Sequence, residues 1–94
     1  MQKTDYQISI INRVRELRQK EGVSQAQLST VIGVTPGQIG NIESTNYSHK
    51  YTLNHLNQIA KHFGISTEAL FLEKGENQIS TQEVIERICN YLEN

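Results

Sequence analysis

Side chains able to do chemistry are few in this chain, and their spacing argues against catalysis. The single cysteine, Cys89, stands in an apolar helical pattern with Val84, Ile85, Ile88 and Leu92. That setting predicts a buried, inert thiol rather than a nucleophile. His55 and His62 are seven residues apart, about 10 Å along a helix, which is too far to share a metal ion. The carboxylates are scattered, and no glycine-rich stretch forms a phosphate cradle. No catalytic residue, metal site or cofactor is therefore expected, and the chain reads as a non-enzyme. What remains is the chemistry of recognition, carried by carboxamides and hydroxyls that donate and accept hydrogen bonds without titrating.

Those groups concentrate around Ser24–Glu43, which reads as two short helices joined by a tight turn. Ser24 with Gln27, and Thr35 with Gln38, are capping boxes in which each side chain can satisfy the other residue's free N–H. Pro36 follows the second cap at the first helical position, where a missing N–H costs nothing. Val23 before Leu28, and Val34 before Ile39, staple both starts. Gly33 stands where the first helix must stop. Leu28, Val31 and Ile32 form one inward side, and Ile39 and Ile42 the other. Outward, the second helix offers Gly37, Gln38, Gly40 and Asn41, with no charge and no bulky apolar group. A short, capped, polar-faced helix held on a steeply angled partner is the geometry of a helix-turn-helix.

This stretch resembles the phage repressor and Cro (XRE-like) type of helix-turn-helix protein. The resemblance rests on Ser24-Gln25-Ala26-x-Leu28, Gly33-Val34-Thr35 and Ile39-x-x-Ile42-Glu43, and extends from roughly Arg13 to Leu72. It implies an all-α fold: a five-helix repressor-like DNA-binding domain with an additional C-terminal helix. It also implies that Pro36, Gly37, Gln38 and Asn41 face base edges in the major groove, next to the cap Thr35. Pro36 and Gly37 depart from the family's better readers because neither has a polar side chain. Asn41 is the strongest base reader, since a carboxamide can pair with adenine at two points. Gln25 is expected to anchor phosphate at a helix N-terminus. Arg18 and Glu43 are expected, by the same resemblance, to form a structural ion pair.

The remaining elements follow in order. A first helix is expected from near Asp5 to Glu21, with Tyr6, Ile10, Val14 and Leu17 as its apolar stripe. Gly22 ends it, and Arg13, Arg15 and Lys20 read as a solvated face. The polar loop Ser44–Tyr51 offers Thr45, an amide and Lys50 for phosphate contacts, which position a protein without specifying sequence. Thr52 caps a core helix carrying Leu53, Leu56, Ile59, Ala60 and Phe63, closed by Gly64. Ser66 caps a fifth helix, Thr67–Leu72. Residues 1–72 are thus expected to be the DNA-binding domain, with 73–94 a linker and C-terminal helix opened by a Ser80/Glu83 capping box.

That last helix must bury its stripe of Val84, Ile85, Ile88 and Leu92. It could pair two copies of the chain into a homodimer or fold back on its own domain, and the dimer is favoured. Net charge is −1, yet residues 1–22 carry +2, 23–65 carry +1 and 66–94 carry −4, so the acidic excess is confined to one end. No segment approaches membrane-spanning length and no signal-peptide stretch opens the chain, so a cytoplasmic protein is expected. The function expected is a sequence-specific double-stranded DNA-binding regulator, a repressor in type. Two alternatives stand beside it: an antitoxin that partners a toxin and represses its own promoter, and a protein-interaction module that has lost DNA binding.

Overall fold

Hydroxyl-capped helix starts set the architecture. The computed structural model describes residues 2–93. Five α-helices, α1 (Asp5–Lys20), α2 (Gln25–Ile32), α3 (Pro36–Glu43), α4 (Leu53–Phe63) and α5 (Thr81–Leu92), are joined by loops, with a 3-10 helix, Thr67–Phe71, between α4 and α5. No strand occurs among the described residues. Thr4, Ser24, Thr35, Thr52 and Ser80 each accept the backbone N–H three residues on. In the first four, Gln7, Gln27, Gln38 and His55 return a bond to the cap's own N–H. α2 and α4 stop on Gly33 and Gly64, whose φ of 72° and 71° is cheap only for glycine.

Every helix contributes to one core. α1 supplies Ile10, Ile11 and Val14, α2 and α3 supply Leu28, Ile32, Ile39 and Ile42, and α4 supplies Leu56, Ile59 and Ala60. Leu70 and Phe71 of the 3-10 helix, Tyr51 and Tyr91 complete it. α2 and α3 form the helix-turn-helix, and α3 rests on α1 with its opposite face free.

Several elements differ from the sequence expectation. Thr67–Phe71 is 3-10 rather than α, because five residues must bury the adjacent Leu70 and Phe71 in a single tight turn. Ile11 lies in the core, whereas Tyr6 and Leu17 are half-buried at its edge. Ser80 caps α5 at 3.1 Å, but the Glu83 carboxylate turns instead to Arg87 at 3.0 Å, a charge-assisted bond in place of the reciprocal cap. Arg13 is not simply solvated: it donates to the Leu70 carbonyl at 2.7 Å and pairs with Glu73 at 3.2 Å. Cys89 is exposed, not buried, because α5 turns the neighbouring Tyr91 and Ile88 inward.

α5 folds back on its own domain. Tyr91 is fully buried, its hydroxyl donating to the Tyr51 carbonyl at 2.8 Å, its ring edge-on to Phe71. Gln7 Nε2 donates to the carbonyls of Tyr91 and Glu93 at 2.8 and 2.5 Å, so one side chain caps the start of α1 and the end of α5. Arg87 grips Glu76 through two bonds of 2.6 and 2.9 Å and donates to the Phe71 carbonyl. The two bonds from Arg87, and one donated by the Glu73 N–H, hold the Glu76 carboxyl down at about 2.

Candidate nucleic-acid interface

The outward face of α3 is set by what lies behind it. Glu43, at its last residue, has a side chain only 4% exposed. Arg18 from α1 meets it with two parallel bonds of 2.9 Å and spends its remaining nitrogen on the Val23 carbonyl at 2.9 Å. Gln25, at the first turn of α2, donates from Nε2 to Glu43 Oε1 at 2.9 Å. Arg15, half-exposed, stands 3.9 Å from the same oxygen. One carboxylate thus ties α1, α2 and α3 together. A desolvated anion is tolerated there because a fork-shaped guanidinium and an amide occupy its lone pairs.

With α3 so held, Thr35, Pro36, Gly37 and Gln38 are exposed and Asn41 is half-buried. Gln38 Oε1 accepts the Thr35 N–H at 2.8 Å, so a two-point pair with adenine would require breaking the cap. A Cβ built at Gly37 would meet only Thr35 Oγ1 at 3.9 Å, and one at Gly40 only Gln25 Oε1 at 3.8 Å. Neither glycine is demanded by packing within the chain.

The structure distributes the other expected contacts unevenly. Thr45 lies exposed in the loop after α3. Lys50 does not extend toward the outer face: its ammonium sits at the end of α5, 3.4 and 3.2 Å from the Tyr91 and Leu92 carbonyls and 5.7 Å from the Tyr91 ring centre. Gln25 is committed through its amide N–H to Glu43. Of the C-terminal stripe, Val84 and Ile88 are half-buried, while Ile85 and Leu92 are 51% and 42% exposed.

Two residues around this face escaped the sequence reading. Lys3, ahead of α1, is buried beneath the end of α3, where its ammonium meets the carbonyls of Ile42, Ser44 and His49 at 2.6, 2.7 and 2.9 Å. The signal was negative: α3 ends with neither a left-handed glycine nor a basic residue in its last turn. Tyr47 projects from the same loop, 49% exposed and edge-on to His49.

Three helices held together at one carboxylate, with the uncharged polar face of α3 left outward, are the arrangement of a helix-turn-helix. The chain belongs to the helix-turn-helix family: a helix-turn-helix domain model matches residues 11–76, more than half its length. In class it is an XRE-like DNA-binding transcriptional regulator. It is similar to a chain of the solved SinR protein/SinI protein complex, at 25% identity, covering 86% of this chain and 78% of that one with a TM-score of 0.56. The sequence matches no curated protein. Among the described residues no helix is long and apolar enough to cross a membrane, and no cluster of His, Cys, Asp and Glu could hold a metal ion.

Proposed function

We propose that the protein is a sequence-specific repressor that reads the DNA major groove with α3 and binds as a homodimer. The observation that carries this reading is the Arg18–Glu43–Gln25 cluster, which fixes α3 on α1 and α2 while its uncharged polar face points away from the core. A helix so presented offers Asn41 and the amide N–H groups of Gln38 to base edges, with Thr35 and Thr45 beside the sugar–phosphate backbone. Gln25 and Lys50 would grip phosphate only by giving up partners they now hold. Arg15, exposed beside the α2 start, adds a cation where backbone phosphate would lie. Residues 1–72 supply this reading unit, and 73–94 brace it and carry the pairing surface.

Fluorescence anisotropy against a duplex selected in vitro from a randomised library, beside a scrambled duplex, tests the reading. Affinity should fall steeply with added salt and favour the selected sequence. Salt-independent or absent binding would sink it and favour the interaction module. That second reading has one observation of its own: the exposed Ile85 and Leu92 offer an apolar surface, and the similar SinR protein was solved with another protein, SinI. An antitoxin would use the same surface for its toxin.

A further inference from the structure

We infer that Lys3 is a positioning residue that clamps the last turn of α3 and the loop after it in the orientation in which that helix meets DNA. This inference rests on the DNA-reading function proposed above. The four α-helix ends of the reading unit are not treated alike. α2 and α4 close on left-handed glycines, with Val34 N–H returning to the Ser29 carbonyl and Ile65 N–H to the Ala60 carbonyl. α1 closes the same way through Gly22, with Val23 N–H reaching the Arg18 carbonyl at 2.9 Å. α3 alone ends on an extended residue, Ser44, with ψ of 141°, and like α2 it has no basic residue in its last turn. Its final carbonyls, which carry the negative end of the helix dipole, have no partner inside the helix.

Lys3 is that partner. An ammonium has three donors and no acceptor, and three short bonds go to Ile42, Ser44 and His49, with the Asn41 carbonyl a fourth neighbour at 3.4 Å. These four carbonyls belong to the candidate base reader, the last turn of α3, and the far side of the loop carrying Thr45 and Tyr47. The Lys3 amine therefore fastens both ends of that loop to one point. Burial pulls its pKa below the ordinary value, while the carbonyl dipoles around it favour the charged form. The residue lies outside the helix-turn-helix match, which begins at residue 11. The fold thus recruits a segment ahead of the matched residues to finish α3.

Amide hydrogen exchange on the free chain and anisotropy on the two duplexes, for wild type, Lys3→Met and Lys3→Arg, decide the matter. Lys3→Met keeps the aliphatic stem and removes the donors. Exchange at Ile42, Glu43 and Ser44 should quicken about tenfold, with Val14 and Ile59 unchanged. Affinity for the selected duplex should fall about tenfold, with the scrambled duplex within about twofold and the salt slope as in wild type. Lys3→Arg, which keeps the charge and donors, should recover most of both losses. Uniformly faster exchange across the core, or none, would overturn the clamp. Equal losses on both duplexes with a salt slope smaller by about one would make Lys3 a phosphate contact instead. If wild type binds neither duplex, the DNA reading itself has failed, and the exchange pattern alone decides whether Lys3 holds α3.

Discussion

Glu43 is a junction. Its carboxylate is nearly buried and receives Arg18 twice and Gln25 once, so the cost of removing either charge is chiefly the charge left behind. Arg18→Met should destabilise by about 3 kcal/mol, the low end for a broken buried pair, because Gln25 and Arg15 still face the stranded carboxylate. Glu43→Leu leaves Arg18 with the Val23 carbonyl, and a similar loss is expected. The double variant should recover at least about 1 kcal/mol in a urea double-mutant cycle; strictly additive losses would mean the side chains do not meet in solution. Asn41 makes the opposite kind of prediction. Asn41→Ala should leave stability nearly unchanged but cost about 1–3 kcal/mol against a selected duplex and little against a scrambled one. Equal loss on both would remove Asn41 from base reading. The Arg18–Glu43 pairing entered with the family resemblance, whereas Gln25 joining it depends on how closely α2 approaches α3. The partner of Lys50 was illegible for a plainer reason: nothing in a polar loop shows that a helix will end beside it at Leu92, 42 residues on.

Helix starts were legible because their chemistry is local. Ser24, Thr35 and Thr52 each sit three residues before their partner, and the bonds follow from that spacing alone. Helix ends with glycine were legible for the same reason. The end of α3 was not, since its cap comes from Lys3, thirty-nine residues away from Ile42. The fifth helix, expected over Thr67–Leu72, did not show its 3-10 character, because a capped apolar turn has the same residues in either helix type. At the start of α4 the reciprocal bond runs from Thr52 N–H to His55 Nδ1 at 3.2 Å, which requires an unprotonated nitrogen. Partial burial lowers the His55 pKa from its ordinary 6.5. A group with a depressed pKa binds fewer protons when folded, so its contribution is complete above about pH 6.5 and is lost as pH falls below it. Between about pH 7.5 and 5.5 the chain should lose no more than about 1 kcal/mol through this cap, the ring being partly in water. His55→Gln supplies an acceptor that does not titrate and should flatten that part of the urea-midpoint profile. An unchanged slope in the variant would assign the pH dependence to other groups.

Across the whole molecule, charge and packing separate two faces. The acidic residues gather toward α5, where Arg87 holds Glu76 and Glu83, while the exposed part of α3 is neutral. Attraction to phosphate in a single copy is therefore weak, and two copies would double every contact. α5 has 12 residues and would be marginal alone; Tyr91 and Ile88 attach it to its own core, which leaves Ile85, Cys89 and Leu92 outward at helical spacing. This division changes how pairing should be tested. Ile88→Asp would strike the chain's own core, and a stop after Asn77 would remove Tyr91 along with the partners of Gln7 and Lys50, so both would confuse unfolding with dissociation. Ile85→Asp touches only the outward stripe. It should leave the urea midpoint of the monomer unchanged, yield a monomer by sedimentation equilibrium at about 50 µM, and lose tight binding to the selected duplex, because two reading helices roughly 34 Å apart would no longer be coupled. Wild type, with one cysteine on that seam, should form a covalent dimer under mild oxidation, and Ile85→Asp should not. A wild-type chain that stays monomeric at that concentration, both free and on the duplex, would leave the α5 stripe to a different protein partner.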